Sequence, residues 1–335
     1  MRVGIIGGGF GLYGWLPALV SSPDVEIATL ERYRIKLRLR PELRGLEERI
    51  TFFEDPSRLL SRCECVVIAR RPADQFRFVE ELASLGWKGC VVLEKPVAPN
   101  PEMAKALLEI LKRADIRAVV GFSMCETGWA ATFGKYLAAA EPIHIHVDWR
   151  FLAHHHRYSL ANWKRRPAEG GGALRFFAIH LVAWLAWAGP WEEVECSPVA
   201  KTQDDPAVRF TVKRGSVEVS VLCDTCWNKE PLFAIEASRE GRVIEACTLR
   251  DPFDESVAGS GSEELAGQDK RVVFLRRIIK DVLHDGGSRP TDFLAHVELW
   301  GQIERARAAG ADERLRRVQS RRDNGGSRAG DGTTA

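Results

Sequence analysis

Five glycines, Gly7, Gly8, Gly9, Gly11 and Gly14, crowd together directly after the apolar run Val3-Gly4-Ile5-Ile6, with Phe10 and Leu12 between them. A helix-like stretch, Trp15 to Val20, follows. Strand, glycine turn and helix in that order form a phosphate site. Backbone without side chains lets a pyrophosphate approach closely, and the helix N-terminus behind it offers free N–H groups and a positive dipole end. Two registers are open. The literal G-x-G-x-x-G falls on Gly9, Gly11 and Gly14. The other makes Gly7 the turn glycine and Gly9 the phosphate-facing one, puts Leu12 in the third glycine's place and leaves Gly11 to relieve crowding one residue early. The second is preferred, because Ile5 and Ile6 must sit in the sheet just before the turn. Gly7, Gly8, Gly9, Phe10, Gly11 and Leu12 are therefore assigned to a dinucleotide.

Glu31 ends the next apolar run, about twenty residues on, where an acidic residue hydrogen-bonds the adenosine ribose. It favours NAD. Arg32, Arg34, Lys36, Arg38 and Arg40 follow at once and make NADP the alternative, since arginines there hold a 2′-phosphate. Ile35, Leu37 and Leu39 alternate with the charges as in a strand, yet leucine and arginine are good helix formers, so that segment stays open. Ala69, Arg70 and Arg71, at the end of the fourth strand, are placed with the cofactor as well.

The 335 residues suffice for two domains, and 45% hydrophobic with 28% charged residues is typical of a globular chain. A net charge of +2 argues against nucleic acid or membrane as partner. No apolar run is long enough to span a bilayer. Met1-Arg2 leads straight into the first strand without room for a signal peptide, and the eight cysteines read as reduced, so a cytoplasmic location is expected.

Short apolar strands at Val25–Leu30, Ile50–Phe53, Cys65–Ala69, Cys90–Leu93 and Ala118–Phe122 alternate with helical stretches. That pattern predicts a parallel sheet wound by right-handed crossovers over residues 1–122. Beyond it, one helix (Trp129–Ala140) leads to alternating strands at Ile143–Phe151, Val208–Arg214, Ser216–Cys223, Leu232–Ser238 and Arg242–Leu249. They predict a largely antiparallel open sheet in an α/β domain over residues 123–310, closed by helices Lys270–Leu283 and Thr291–Ala309. Residues 311–335, rich in Arg, Gly, Ser and Asp, predict a disordered tail.

Three motifs in this order resemble the glucose–fructose oxidoreductase / inositol dehydrogenase (Gfo/Idh/MocA) family. They are the glycine turn, the run Val92-Leu93-Glu94-Lys95-Pro96-Val97-Ala98, and Asn162-Trp163-Lys164 followed by Gly170-Gly171-Gly172-Ala173-Leu174 and His180. Ser288-Arg289-Pro290 and the closing helix fit as well. The resemblance implies a Rossmann domain beside an α/β domain whose open sheet forms the homo-oligomer interface. It also implies hydride transfer between NAD(P) and a sugar, cyclitol or nucleotide-sugar, a small-molecule substrate. This chain departs from the family at four positions. Phe176 replaces an aspartate, Ala178 a glycine, Ala183 an acidic residue and Trp15 a histidine.

Through the resemblance, Lys95 and His180 become the catalytic candidates. Hydride transfer at a carbinol needs a proton relay at the oxygen. Lys95 stands at a strand's carboxyl end, where open α/β sheets bind ligands, between Glu94 and Pro96, which fix a bend there. His180 exchanges the proton. Glu94 and Pro96 join the cofactor set; Trp163, Lys164, Arg165 and Phe176 form the substrate set. Two other readings are a reductase of a C=N or C=C bond, and a dinucleotide-binding sensor or partner subunit without turnover, for which Phe176 and Ala183 speak. His144, His146, His154-His155-His156 and the lone pair Cys223/Cys226 have no recognised ligand spacing, so no metal is expected.

Overall fold

The computed structural model describes residues 1–197, 199, 204–254, 269–285 and 293–325. Ser288-Arg289-Pro290 and residues 326–335 lie outside them.

Strands β1 (Arg2–Ile6), β2 (Glu26–Leu30), β3 (Ile50–Phe53), β4 (Cys65–Ile68), β5 (Cys90–Leu93) and β6 (Arg117–Val120) pair in the order β3-β2-β1-β4-β5-β6, every pairing parallel. β4 and β5 are buried at every residue, as a sheet covered by helices on both faces requires. The strand order reverses between β1 and β4, and the ligand crevice of such a sheet opens there, beyond the strands' carboxyl ends. The intervening helices are α1 (Leu16–Val20), entered through a π-helical turn at Gly11–Trp15, α2 (Arg34–Arg38), α3 (Pro56–Leu60), α4 (Pro72–Ser84) and α5 (Pro101–Ala114). Asp55 and Asn100 cap α3 and α5, each with Pro in the first turn. The ambiguous stretch after Glu31 is thus a helix. Its arginines are good helix formers, and it needs only Leu37 on its buried side.

The second sheet runs β12-β11-β7-β10-β9-β8, with β7 Ile143–Arg150, β8 Glu193–Ser197, β9 Ala207–Arg214, β10 Val217–Asp224, β11 Leu232–Arg239 and β12 Arg242–Leu249. β8, absent from the expected strands, is an edge strand of half-exposed and exposed residues with too little apolar pattern to show in sequence. All its pairings are antiparallel except β7 with β10, which the long connection after β7 permits. The β11–β12 hairpin turns through Glu240 and Gly241, both at positive φ, as two-residue hairpin loops demand. One face of this sheet is buried, the alternate residues of β10 facing inward, and the other stays half exposed. α6 (Gly128–Leu137) precedes the sheet. α7 (His154–Arg157) and α8 (Ile179–Ala186) fill the connection between β7 and β8. α8 is uncharged apart from His180 and buried at all eight positions.

α9 (Val272–Asp285) packs on α1, and α10 (Leu294–Gly325) packs on α5, α8 and β8, so both sheets share these helices. α10 extends well beyond Ala309, where the closing helix was expected to end. The stretch to residue 322 is dominated by Ala, Arg, Glu, Leu and Gln, whose helix propensity outweighs its lack of apolar residues. None of the eight cysteines forms a disulfide. Among the described residues no helix is long and apolar enough to cross a membrane, and no cluster could hold a metal ion.

Candidate active site

The geometry of the glycine turn accords with the Gly7/Gly9 register. Gly7 has φ +149°, and a Cβ there would lie 2.1 Å from the Ala69 carbonyl oxygen. At Gly11 a Cβ would sit 3.0 Å from Ile5 Cγ2 and 3.2 Å from Ala69 Cβ, so Gly11 is the glycine that lets helix meet strand. Leu12 is buried behind it. At Gly9 a Cβ would meet nothing within 4 Å. The backbone there faces open space at the mouth of a helix, which fits a pyrophosphate. Two cations flank the turn, Lys36 from the basic run and Arg271, which was missed in the sequence. Lys36 places Nζ 2.9 Å from where a Gly8 Cβ would stand, and Arg271 holds its guanidinium 4.2 Å from the Phe10 ring centroid.

Glu31 stands just past β2 but is not alone. Arg34 donates to both its carboxylate oxygens, at 2.5 and 2.9 Å, and this holds its pKa below the usual carboxylate value. Arg34 also pairs with Glu47 and stacks 3.7 Å from the Phe52 ring centroid. Arg38 donates to Glu47 at 2.8 and 3.0 Å, and Arg40 to Glu42 at 2.8 Å. Three of the four arginines that favoured NADP are therefore spent on carboxylates. We expect NADH to bind more tightly than NADPH and Glu31→Ala to narrow the gap, read by nicotinamide fluorescence titration. Tighter NADPH binding would refute the assignment. Arg70 stands with its guanidinium 5.6 Å from the Phe78 ring centroid, and Arg71 is exposed.

Glu94, Lys95 and Pro96 follow β5 in a turn with a cis Lys95–Pro96 peptide. Gln75, in α4, pins this turn. Its amide nitrogen donates to the carbonyls of Glu94 (2.8 Å) and Val97 (3.0 Å), and its amide oxygen accepts from Glu94 N at 2.8 Å. Trp15 donates from Nε1 to Glu94 Oε1 at 2.6 Å, so the residue that departs from the family's histidine supplies the buried carboxylate's donor. Burial raises the Glu94 pKa against the pull of Lys95.

Lys95 is 9% exposed. Its Nζ donates to the Phe176 carbonyl oxygen at 2.6 Å and lies 4.0 Å from the Phe176 ring centroid. A main-chain carbonyl and a π face thus occupy the place of the absent aspartate; both attract an ammonium, neither as strongly as a carboxylate. Burial pulls the Lys95 pKa down to about 7; Glu94 opposes this, while Arg271 and Lys164 add to it. His180 is 3% exposed, with Nδ1 lacking a hydrogen-bond partner among the described residues. Burial, then the charges of Lys95 and Arg271, hold its pKa well below the usual histidine value, so it is neutral.

The Gly170-Gly171-Gly172 run ties these pieces together. A Cβ on Gly170 would press Pro72 at 2.9 Å and Pro96 at 3.3 Å, and one on Gly171 would lie 2.3 Å from the Trp163 carbonyl oxygen. Trp163 meets Phe176 edge-on at 5.2 Å, and Lys164 reaches over the same ring at 5.0 Å. Burial, then Arg271, lowers the Lys164 pKa. Arg165 goes elsewhere. It pairs with Asp204 in a separate open cleft with Asn162, Arg166 and Glu169.

Lys95, His180 and Phe176 line one cavity of about 400 Å³ with Trp149, Phe151, Phe177, Phe253, Asp251, Asp269, Lys270 and Arg271. Lys95 and a neutral imidazole therefore stand together beside five aromatic rings and the charged Asp251, Asp269, Lys270 and Arg271, beyond the carboxyl end of β5. His144 and His146 point away from it, onto the outer sheet face, where they meet Ser220 at 3.2 and 2.9 Å.

Residues 1–122 match the family described as "Oxidoreductase family, NAD-binding Rossmann fold". Among solved structures, the chain is similar to the WlbA dehydrogenase from Bordetella pertussis in complex with NADH and UDP-GlcNAcA, at 16% identity and TM-score 0.71, covering 92% of this chain and 96% of that one. It is similar to GenD2 from gentamicin A biosynthesis in complex with NAD, at 17% identity and TM-score 0.69, covering 92% and 95%. The WlbA (WbpB) dehydrogenase from Thermus thermophilus, in complex with NAD and UDP-GlcNAcA, matches at 14% identity and TM-score 0.65, covering 89% and 93%. At these identities the likeness is one of fold, while the matched residues carry the identification: the amino-terminal domain of this chain is the NAD-binding Rossmann domain of the Gfo/Idh/MocA oxidoreductase family.

Proposed function

We propose that the chain is an NAD-dependent dehydrogenase that interconverts a ring hydroxyl and ketone of a sugar or nucleotide-sugar. The observation that carries this is Lys95, whose amine stands in the aromatic cavity beside His180 with its pKa drawn to about 7. Bound NAD supplies the hydride acceptor or, reduced, the donor. In oxidation, neutral Lys95 takes the hydroxyl proton as the hydride leaves the same carbon, giving a ketone and the protonated amine. In reduction, the ammonium returns that proton to the nascent alkoxide. His180, neutral, passes the proton on. Trp15 and Gln75 fix Glu94 and the turn that aims Lys95, and Trp163, Lys164 and Phe176 close the chamber around it. The nucleotide-sugar ligands of the two WlbA structures support that substrate class.

The test is NAD⁺ reduction at 340 nm, and the reverse reaction with the ketones, over D-glucose, myo-inositol, UDP-glucose and UDP-GlcNAcA. Turnover of at least one is expected; none in either direction would remove the reading. Phe176 in the aspartate's place favours one second reading, a reductase of C=N or C=C bonds, whose products are imine- or alkene-derived rather than alcohols. For partners, we propose a second copy of this chain on the outer face of the second sheet, where Val243 and Ile244 of β12 are exposed. Light scattering at the monomer mass would exclude it.

A further inference from the structure

The cavity holds two carboxylates, and only one of them is free to meet a ligand. Asp269 is engaged by Arg271, which donates from Nε at 2.8 Å, from Nη2 at 2.7 Å and from its backbone N at 3.0 Å. Asp251 follows β12 and is half-buried. One of its oxygens accepts from Phe253 N at 2.9 Å, and no side chain of the described residues hydrogen-bonds the other. The two residues that follow it are held by neighbouring side chains. Trp129 Nε1 donates to the Pro252 carbonyl oxygen at 3.0 Å. Phe253 packs edge-on against His180 at 6.4 Å and, tilted, against Phe274 at 5.6 Å. Asp251 is thus presented rigidly to the chamber that contains Lys95 and His180.

Apart from the cations Lys270 and Arg271, which donate but do not accept, the remaining walls are aromatic: Trp149, Phe151, Phe176, Phe177 and Phe253. Such walls pack against the C–H face of a ring but accept no strong hydrogen bond. A hydroxyl brought into this chamber loses its water and needs an acceptor, and leaving it without one costs binding. Position 176 offers none, since its carbonyl oxygen is taken by Lys95.

We propose that Asp251 is the positioning residue for the substrate: it accepts a hydrogen bond from a hydroxyl next to the reacting carbon and so selects a vicinal diol within a ring. This inference rests on the dehydrogenase reading and deepens it. Burial, with the fixed backbone donor opposing it, raises the Asp251 pKa, which accords with a carboxylate held for a ligand rather than for solvent. Lys270 and Arg271, which face it, oppose that rise, and the repulsion of Asp254 adds to it.

The test compares wild type, Asp251→Asn and Asp251→Ala. The substrate is whichever of D-glucose, myo-inositol, UDP-glucose and UDP-GlcNAcA is turned over fastest, with its monodeoxy analogues beside it. Asp251→Asn keeps the acceptor for Phe253 N, so it controls for folding. A hydrogen bond to a charged group predicts a loss of about 10–100-fold in kcat/KM for Asp251→Ala, mostly in KM, with Asp251→Asn between. One deoxy analogue should be rejected by wild type and accepted equally with its parent by Asp251→Ala. NADH affinity should not move. An Asp251→Ala enzyme within twofold of wild type, with its discrimination intact, would overturn the proposal. If wild type turns over nothing, the dehydrogenase reading has failed on its own. Saturation-transfer NMR of D-glucose and UDP-glucose with the protein–NADH complex then decides. Binding by wild type that Asp251→Ala loses supports the role, and equal binding, or none to wild type, overturns it.

Discussion

Lys95→Ala is expected to lower turnover by about 10²–10⁴-fold, the contribution of a placed general acid or base, while NADH affinity stays within a few-fold of wild type. The split follows from the geometry. On the proposed reading the glycine turn and Glu31 hold the dinucleotide, whereas Lys95 Nζ sits past β5 beside aromatic side chains, held by the Phe176 carbonyl. The same residue sets the pH profile. Burial makes the ammonium costly, so its pKa falls to about 7 in the folded protein. Oxidation needs the neutral amine, so its rate should rise with pH through about 7 and level off. Reduction needs the ammonium and should fall over the same interval. His180, neutral well below that range, adds no second limb near neutrality. His180→Ala should do less damage than Lys95→Ala if water takes its place. Single-turnover rates from pH 5.5 to 9 check all three statements. A Lys95→Ala enzyme within a few-fold of wild type, or a flat profile through pH 7, would remove Lys95 from the proton's path.

What the sequence could show was local. Gly7 to Gly14 follow a strand within one continuous stretch, and the turn was readable from where Ile5 and Ile6 must stop. The hydrophobic runs announced six parallel strands because each is short, apolar and bounded. Residues that act on the site from a distance left no local trace. Gln75 is one polar residue in an amphipathic helix, and its partners lie on a turn that folding alone brings near. Trp15 looked like the loss of a histidine, yet its indole N–H is the buried donor to Glu94. Arg271 reaches Phe10 from the far end of the chain, and Asp251 enters the chamber from a sheet edge. The basic run after Glu31 misled for the same reason. Its charges were legible, but the carboxylates that occupy them, Glu42 and Glu47, stand on separate turns. Arg165 was grouped with the substrate residues by adjacency to Trp163 and Lys164. A short 3₁₀ turn points consecutive side chains in different directions, and Asp204 claims this one.

Gly9→Val should abolish dinucleotide binding and leave the fold untouched. The two halves of that expectation have separate causes. At Gly7 any side chain collides with the Ala69 carbonyl and needs a φ that L residues rarely adopt, so a substitution there confounds binding with folding. At Gly9 neither obstacle exists. No atom lies within 4 Å of the added Cβ, and the backbone needs no positive φ. The valine therefore projects into the space in front of the helix mouth. Its methyl groups would take the place of a pyrophosphate oxygen and remove the close backbone approach on which that charge depends. We expect the melting temperature without cofactor to stay within about 2 °C of wild type, since exposed substitutions of this kind rarely move stability by more than about 0.5 kcal/mol. NADH affinity should fall at least about 100-fold, a loss of roughly 2.7 kcal/mol, and the stabilisation that 1 mM NADH gives wild type in a thermal melt should vanish. Lys95→Ala, by contrast, should keep that stabilisation. If Gly9→Val still binds NADH within tenfold of wild type at an unchanged melting temperature, the pyrophosphate does not lie against Gly9, and the literal register on Gly9, Gly11 and Gly14 has to be taken up again.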